Sequence, residues 1–86
     1  MGNSAYFYRN SRRNVHAVGT KNGVNRTFSL PDSEAYIPAS LIVRLNGQTL
    51  EPSTISKNGG YTTFTINDNG ITIESTDILT VSYLIA

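Results

Sequence analysis

The sequence predicts an all-β fold: a small antiparallel β-sandwich or barrel of about six strands, carrying an extended N-terminal arm. Two observations predict it. Apolar residues recur at every second position in short runs: Leu41, Val43 and Leu45; Phe64 and Ile66; Leu79, Val81 and Tyr83. That is the period of a strand with one buried face. Turn-forming clusters separate the runs at close spacing, at Asn46-Gly47, Asn58-Gly59-Gly60, Asn67-Asp68-Asn69-Gly70 and Ser75-Thr76-Asp77. No stretch sustains a helical period.

The 86 residues suit one small domain near the lower limit for a self-sufficient core. Cysteine is absent, so neither a disulfide nor a thiolate metal site is available. Apolar runs are too short to span a bilayer as a helix, and no basic start leads into an apolar stretch. These features predict a protein made in a cytoplasm with no need of a membrane. Charge is unevenly placed. Residues 1–26 carry Arg9, Arg12, Arg13, Lys21 and Arg26 with no acid, a charge of +5. Residues 27–86 set Arg44 and Lys57 against Asp32, Glu34, Glu51, Asp68, Glu74 and Asp77, a charge of −4. A basic arm (1–22) on a mildly acidic body (23–86) is the predicted plan. It suits self-assembly, arm to neighbouring body, as well as an acidic foreign partner.

Along the arm, Tyr6, Phe7 and Tyr8 are consecutive, and a basic, Asn-rich stretch follows from Arg9 to Asn14. Val15 and Ala17 permit a short strand before Gly19. Alone, this segment has little apolar surface to offset its ordering entropy. Three adjacent aromatics are costly to leave in water, which predicts an arm that orders against a partner. Tyr6, Phe7 and Tyr8 are then the anchors, and Arg9, Arg12 and Arg13 the charge contacts.

The body opens after the Lys21-Asn22-Gly23 turn with a strand from Asn25 to Leu30, Phe28 and Leu30 facing in. Pro31 ends it, because proline lacks the N–H that a central ladder needs. Tyr36 or Ile37 then covers one end of the core. From Ser40 to Glu51 the chain reads as a hairpin, with Ile42 and Arg44 on the face opposite Leu41, Val43 and Leu45. Asn46-Gly47 tolerates the positive φ of a type I′ turn. Ser53 to Gly60 reads as a polar link anchored only by Ile55. Tyr61 to Ile66 is a strand, and Ile71 and Ile73 are expected to pair with Phe64 and Ile66 across a four-residue turn. The last strand runs from Ile78 to Ile85. Its second face, Ile78, Thr80, Ser82 and Leu84, is apolar at both ends and suggests cover on both sides.

Chemistry has little to work with. His16 is the only histidine, with no carboxylate beside it in sequence to build a triad. The Asn67–Gly70 run lacks the first carboxylate of a calcium loop, since Thr65 stands there. The glycines lack the G-K-[ST] ending of a phosphate cradle. An enzyme is the least supported class, and no cofactor or metal is expected. The arm's arginines and aromatics suit weak, salt-sensitive nucleic-acid contact, but the strands show threonines rather than a basic-aromatic platform.

The body resembles a known family. Asn25-Arg26-Thr27-Phe28-Ser29-Leu30-Pro31, Ser40-Leu41-Ile42-Val43-Arg44-Leu45-Asn46-Gly47, Gly70-Ile71-Thr72-Ile73 and Asp77-Ile78-Leu79-Thr80-Val81-Ser82-Tyr83 follow in order. This is similar to small Ig-like β-sandwich modules of tailed-bacteriophage virion proteins, in which S-L-x-V-x-L-N-G precedes a late D-x-L-x-V-x-Y strand. The likeness covers residues 23–86. It departs at Pro52-Ser53-Thr54-Ile55, where those modules carry Gly-x-Asp-Tyr-Thr. The resemblance implies a non-enzymatic virion protein, assembled in the host cytoplasm, with viral capsid or tail proteins as partners and many copies in a symmetric lattice. A capsid decoration (cement) protein docking by its arm is the leading expectation. A neck, tail or fibre-attachment component is the alternative, as is a host-surface glycan adhesion module using Tyr36 or Tyr61.

Overall fold

A computed structural model describes residues 11–68 and 70–86. Among the described residues seven strands form two antiparallel sheets, β1 (Ser11–His16), β2 (Thr27–Ser29), β3 (Ile42–Leu45), β4 (Gln48–Thr49), β5 (Ile55–Lys57), β6 (Thr63–Ile66) and β7 (Leu79–Leu84). One sheet has the order β1-β7-β3-β4 and the other β2-β6-β5. The all-β sandwich expected from the alternation is the fold observed. No helix among the described residues is long and apolar enough to cross a membrane.

Alternation explains the core. Phe28 on β2 stands opposite Phe64 on β6, their ring centroids 6.2 Å apart. Ile55 on β5 pairs with Ile66, and Leu79, Val81 and Tyr83 project inward from β7. Leu30, Tyr36, Leu41, Val43 and Ile73 complete the buried set. Tyr36 is fully buried, as expected of a residue closing one end of the core, and its hydroxyl donates to the Thr63 carbonyl at 2.8 Å. Each of the three prolines, Pro31, Pro38 and Pro52, opens a single 3-10 turn, where its fixed φ and missing N–H cost nothing. The β3–β4 connection has φ of 52° at Asn46 and 86° at Gly47, the double positive φ required of a type I′ turn.

Four elements differ from expectation. Ser11–His16, predicted within the arm, is an edge strand of the larger sheet. β1 has only Val15 as an inward aliphatic, and backbone pairing with β7 makes up what composition lacks. Ile55–Lys57, predicted as a link, pairs with β6 as an edge strand. Tyr61, predicted to open a strand, has φ of 53° inside a turn, and β6 starts at Thr63. Ile71–Ile73 is not a strand. Both edges of β6 are already taken, by β2 and β5. The backbone of this segment is instead held by the Arg26 guanidinium, which donates to the carbonyls of Ile66, Asp68 and Ile71 at 3.2, 2.9 and 2.8 Å. Ile73 stays buried, its carbonyl accepting from the Gly23 N–H at 2.8 Å.

The sheets are joined where the chain leaves β1. Val18 and Ser29 exchange backbone hydrogen bonds of 2.8 and 2.7 Å, so the chain crosses from one sheet edge to the other. Gly19 lies in this crossing, against Phe28; a β-carbon there would sit 2.7 Å from the ring.

Candidate functional site

The outward face of the β1-β7-β3-β4 sheet holds the candidate site. Side chains alternate along β7, so while Val81 and Tyr83 face the core, Ser82 and Leu84 face out. Ile42 stands opposite Ser82 and Arg44 opposite Thr80, which puts both β3 side chains on that outer face. On β1 the register shifts between Arg12, opposite Tyr83, and Val15, opposite Val81. This is a bulge, and Asn14 occupies it with φ of 50°. Its N–H donates to Ser82 Oγ at 2.9 Å, and its Oδ1 accepts from Arg44 Nη1 at 2.9 Å. The bulge thereby crosses β7 to hold a guanidinium rooted on β3.

The result is an open groove of about 490 Å³, lined among others by Arg13, Asn14, Ile42, Arg44, Ser82 and Leu84, with Ser11 and Arg12 at its β1 side. Ile42 and Leu84 remain 40% and 43% exposed. The second face of β7, expected to be covered, is open among the described residues. Among the described residues no carboxylate lines the groove. The Arg12–Glu34 bridge is the one ion pair among the described residues, which leaves Arg13 and Arg44 without an anionic partner there.

One corner of the groove is clamped. Arg12 donates from Nε to Glu34 Oε1 at 3.2 Å and from Nη2 to Oε2 at 2.8 Å. The Tyr83 hydroxyl donates to the same Oε1 at 2.6 Å. These donors hold the Glu34 carboxyl below its ordinary pKa, Arg12 contributing most and Tyr83 next. Burial pushes the Tyr83 phenol up, and the hydrogen bond to Glu34 adds to it. Arg12, Glu34 and Tyr83 thus tie β1, the segment after β2 and β7 into one unit.

Of the six residues predicted to contact a partner, Tyr6, Phe7, Tyr8 and Arg9 lie outside the described residues. Arg12 and Arg13 are adjacent on β1. The structure commits Arg12 to its own chain's Glu34 and leaves Arg13 in the groove. Of the two tyrosines offered as alternatives for sugar contact, Tyr36 is buried, while Tyr61 is 42% exposed and meets it edge to face at 5.8 Å. No three His, Cys, Asp or Glu side chains gather to hold a metal among the described residues. The sequence placed Ile42, Arg44, Ser82 and Leu84 on outward faces without bringing them together. Strand order alone does that, by putting β7 between β1 and β3. Comparison with family models, curated proteins and solved structures gives no match for the chain.

Proposed function

We propose that this protein is a non-enzymatic structural module of a bacteriophage virion, a capsid decoration protein that docks through its N-terminal arm. One observation carries the docking role. The root of the arm is built into the core sheet, by the β1–β7 ladder and by the Arg12–Glu34–Tyr83 clamp. A contact made by residues 1–10 is therefore transmitted to the whole sandwich instead of ending in a slack tether. An aromatic run beside a basic stretch supplies apolar anchors and charge contacts in one short segment. In a symmetric shell many such arms act together, so modest individual affinity suffices. The virion assignment itself rests on the resemblance of residues 23–86.

The test compares the full chain with a form lacking residues 1–10, using size exclusion with light scattering, with and without empty shells. The deletion stops at residue 10 because Ser11 begins β1. The expected result is an equally folded body that no longer associates with shells. Shell association undiminished by the deletion overturns the proposal. Association with tail or neck particles instead of shells moves the assignment to a tail, neck or fibre-attachment component.

A further inference from the structure

Two guanidiniums and two exposed aliphatic side chains share the outer-face groove, and their chemistry defines what fits it. We infer that the groove binds an extended peptide segment of a partner protein in which an acidic and an aliphatic residue stand two positions apart. This goes beyond the proposed function: it names a contact surface on the body and the chemistry it recognises, and it does not rest on the virion assignment.

Charge sets the first requirement. Arg13 is exposed and, among the described residues, makes no side-chain hydrogen bond or ion pair. Arg44 is half-buried, and its Nη1 donates to Asn14 Oδ1 at 2.9 Å, which fixes the guanidinium in place. Its Nε and Nη2 have no partner among the described residues, and that edge of the fork is the one that grips a carboxylate with two parallel hydrogen bonds. The other polar side chains around them, Arg12, Asn14, Ser40, Ser82 and Tyr83, are engaged within the chain. Polar contact with a ligand therefore falls to the two arginines. Spacing sets the second requirement. Ile42 and Arg44 alternate outward along β3, about 7 Å apart. Leu84 lies on the diagonal from Ile42, whose direct partner is Ser82. An extended peptide repeats its side chains on one face at the same interval. An acid set on Arg44 thus puts the residue two positions away over Ile42 and Leu84. Those two are about two-fifths exposed, and an aliphatic side chain laid over them takes all three out of water. The lining favours peptide over nucleic acid. Among the described residues its one aromatic, Tyr83, is 3% exposed and faces the core, so bases find no stacking platform.

The experiment is an NMR titration of the isotope-labelled full chain with an end-capped peptide repeating glutamate-threonine-leucine-threonine. Saturable shifts are expected at the Arg44 side-chain N–H and at the Ile42 and Leu84 methyls, while the core methyls of Ile55 and Leu79 hold their positions. Arg44→Gln is expected to weaken binding about tenfold, since it removes the fixed, half-buried fork. Arg13→Gln alters no side-chain bond of the described fold and is expected to weaken binding about threefold. The same peptide with glutamine for glutamate is expected to bind at least about fivefold less tightly. Absence of saturable shifts with the glutamate peptide overturns the inference. Equal binding of the glutamine peptide, or binding unchanged by both arginine variants, also overturns it. Equal shifts from a single-stranded DNA at matched charge overturn it by assigning the groove to polyanions at large. Shifts of the same resonances on concentrating the protein alone overturn it by assigning the groove to a second copy. None of these readings involves shells, so failure here is separate from failure of the docking test.

Discussion

Glu34 is the residue on which the root of the arm depends. Its two oxygens accept from Arg12 twice and from Tyr83 once, joining an exposed cation to a core tyrosine. Because these donors depress its folded pKa, its contribution to stability is complete above the unfolded value, about 4.3. The contribution is lost as pH falls through the folded value. Tyr83 behaves oppositely: its raised pKa makes its contribution complete below about 10 and lost as pH rises beyond that. Glu34→Gln is therefore expected to lower the urea midpoint at pH 7, and the gap to the unmodified protein is expected to be smaller at pH 3. A gap equal at both pH values would show that the carboxylate's charge has no part in the clamp.

At the scale of elements, legibility follows the range of the interactions that make each one. The Asn46-Gly47 hairpin was readable because its turn residues and its alternation lie within twelve residues, and its register follows from them. β1 was not. Its sequence, Ser-Arg-Arg-Asn-Val-His, looks like a solvated tail, and it becomes a strand only because β7, more than sixty residues later, presents a free edge. Ile71–Ile73 shows the reverse case, a strand-like pattern denied a ladder because the edge it would use is filled. The groove shared this limit, since each outward residue was legible and their assembly was not. β1 is therefore expected to be part of the folding unit although composition assigned it to the arm. Deleting residues 1–10 is expected to leave the unfolding midpoint near that of the full chain. Deleting residues 1–16 removes the ladder and the half-buried Val15, and should cost about 3 kcal/mol or more in chemical denaturation. Equal stability of the two truncated forms would return β1 to the arm.

Across the whole molecule, the charge split of the sequence is largely spent inside the fold. Of the five cations in residues 1–26, Arg12 is paired with Glu34, Lys21 donates from Nζ to the Asp77 carbonyl, and Arg26 caps three carbonyls of the segment after β6. A charge of +5 in the sequence therefore does not become five phosphate contacts on the surface. Arg26 in particular cannot turn outward without orphaning backbone that no strand satisfies. Arg9 lies outside the described residues; of the described cations, Arg13, Arg44 and Lys57 are left for an anionic polymer, Arg44 already donating to Asn14. Each phosphate neutralised on duplex DNA contributes about −0.9 to the slope of log K against log salt concentration. The protein's affinity for a DNA duplex, measured by fluorescence anisotropy over a salt series, is therefore expected to be weak, with a slope no steeper than about −4. A slope near −6 would mean that the internal pairs open on binding. The arm would then be a nucleic-acid element, and its assignment as a protein-docking element would fall.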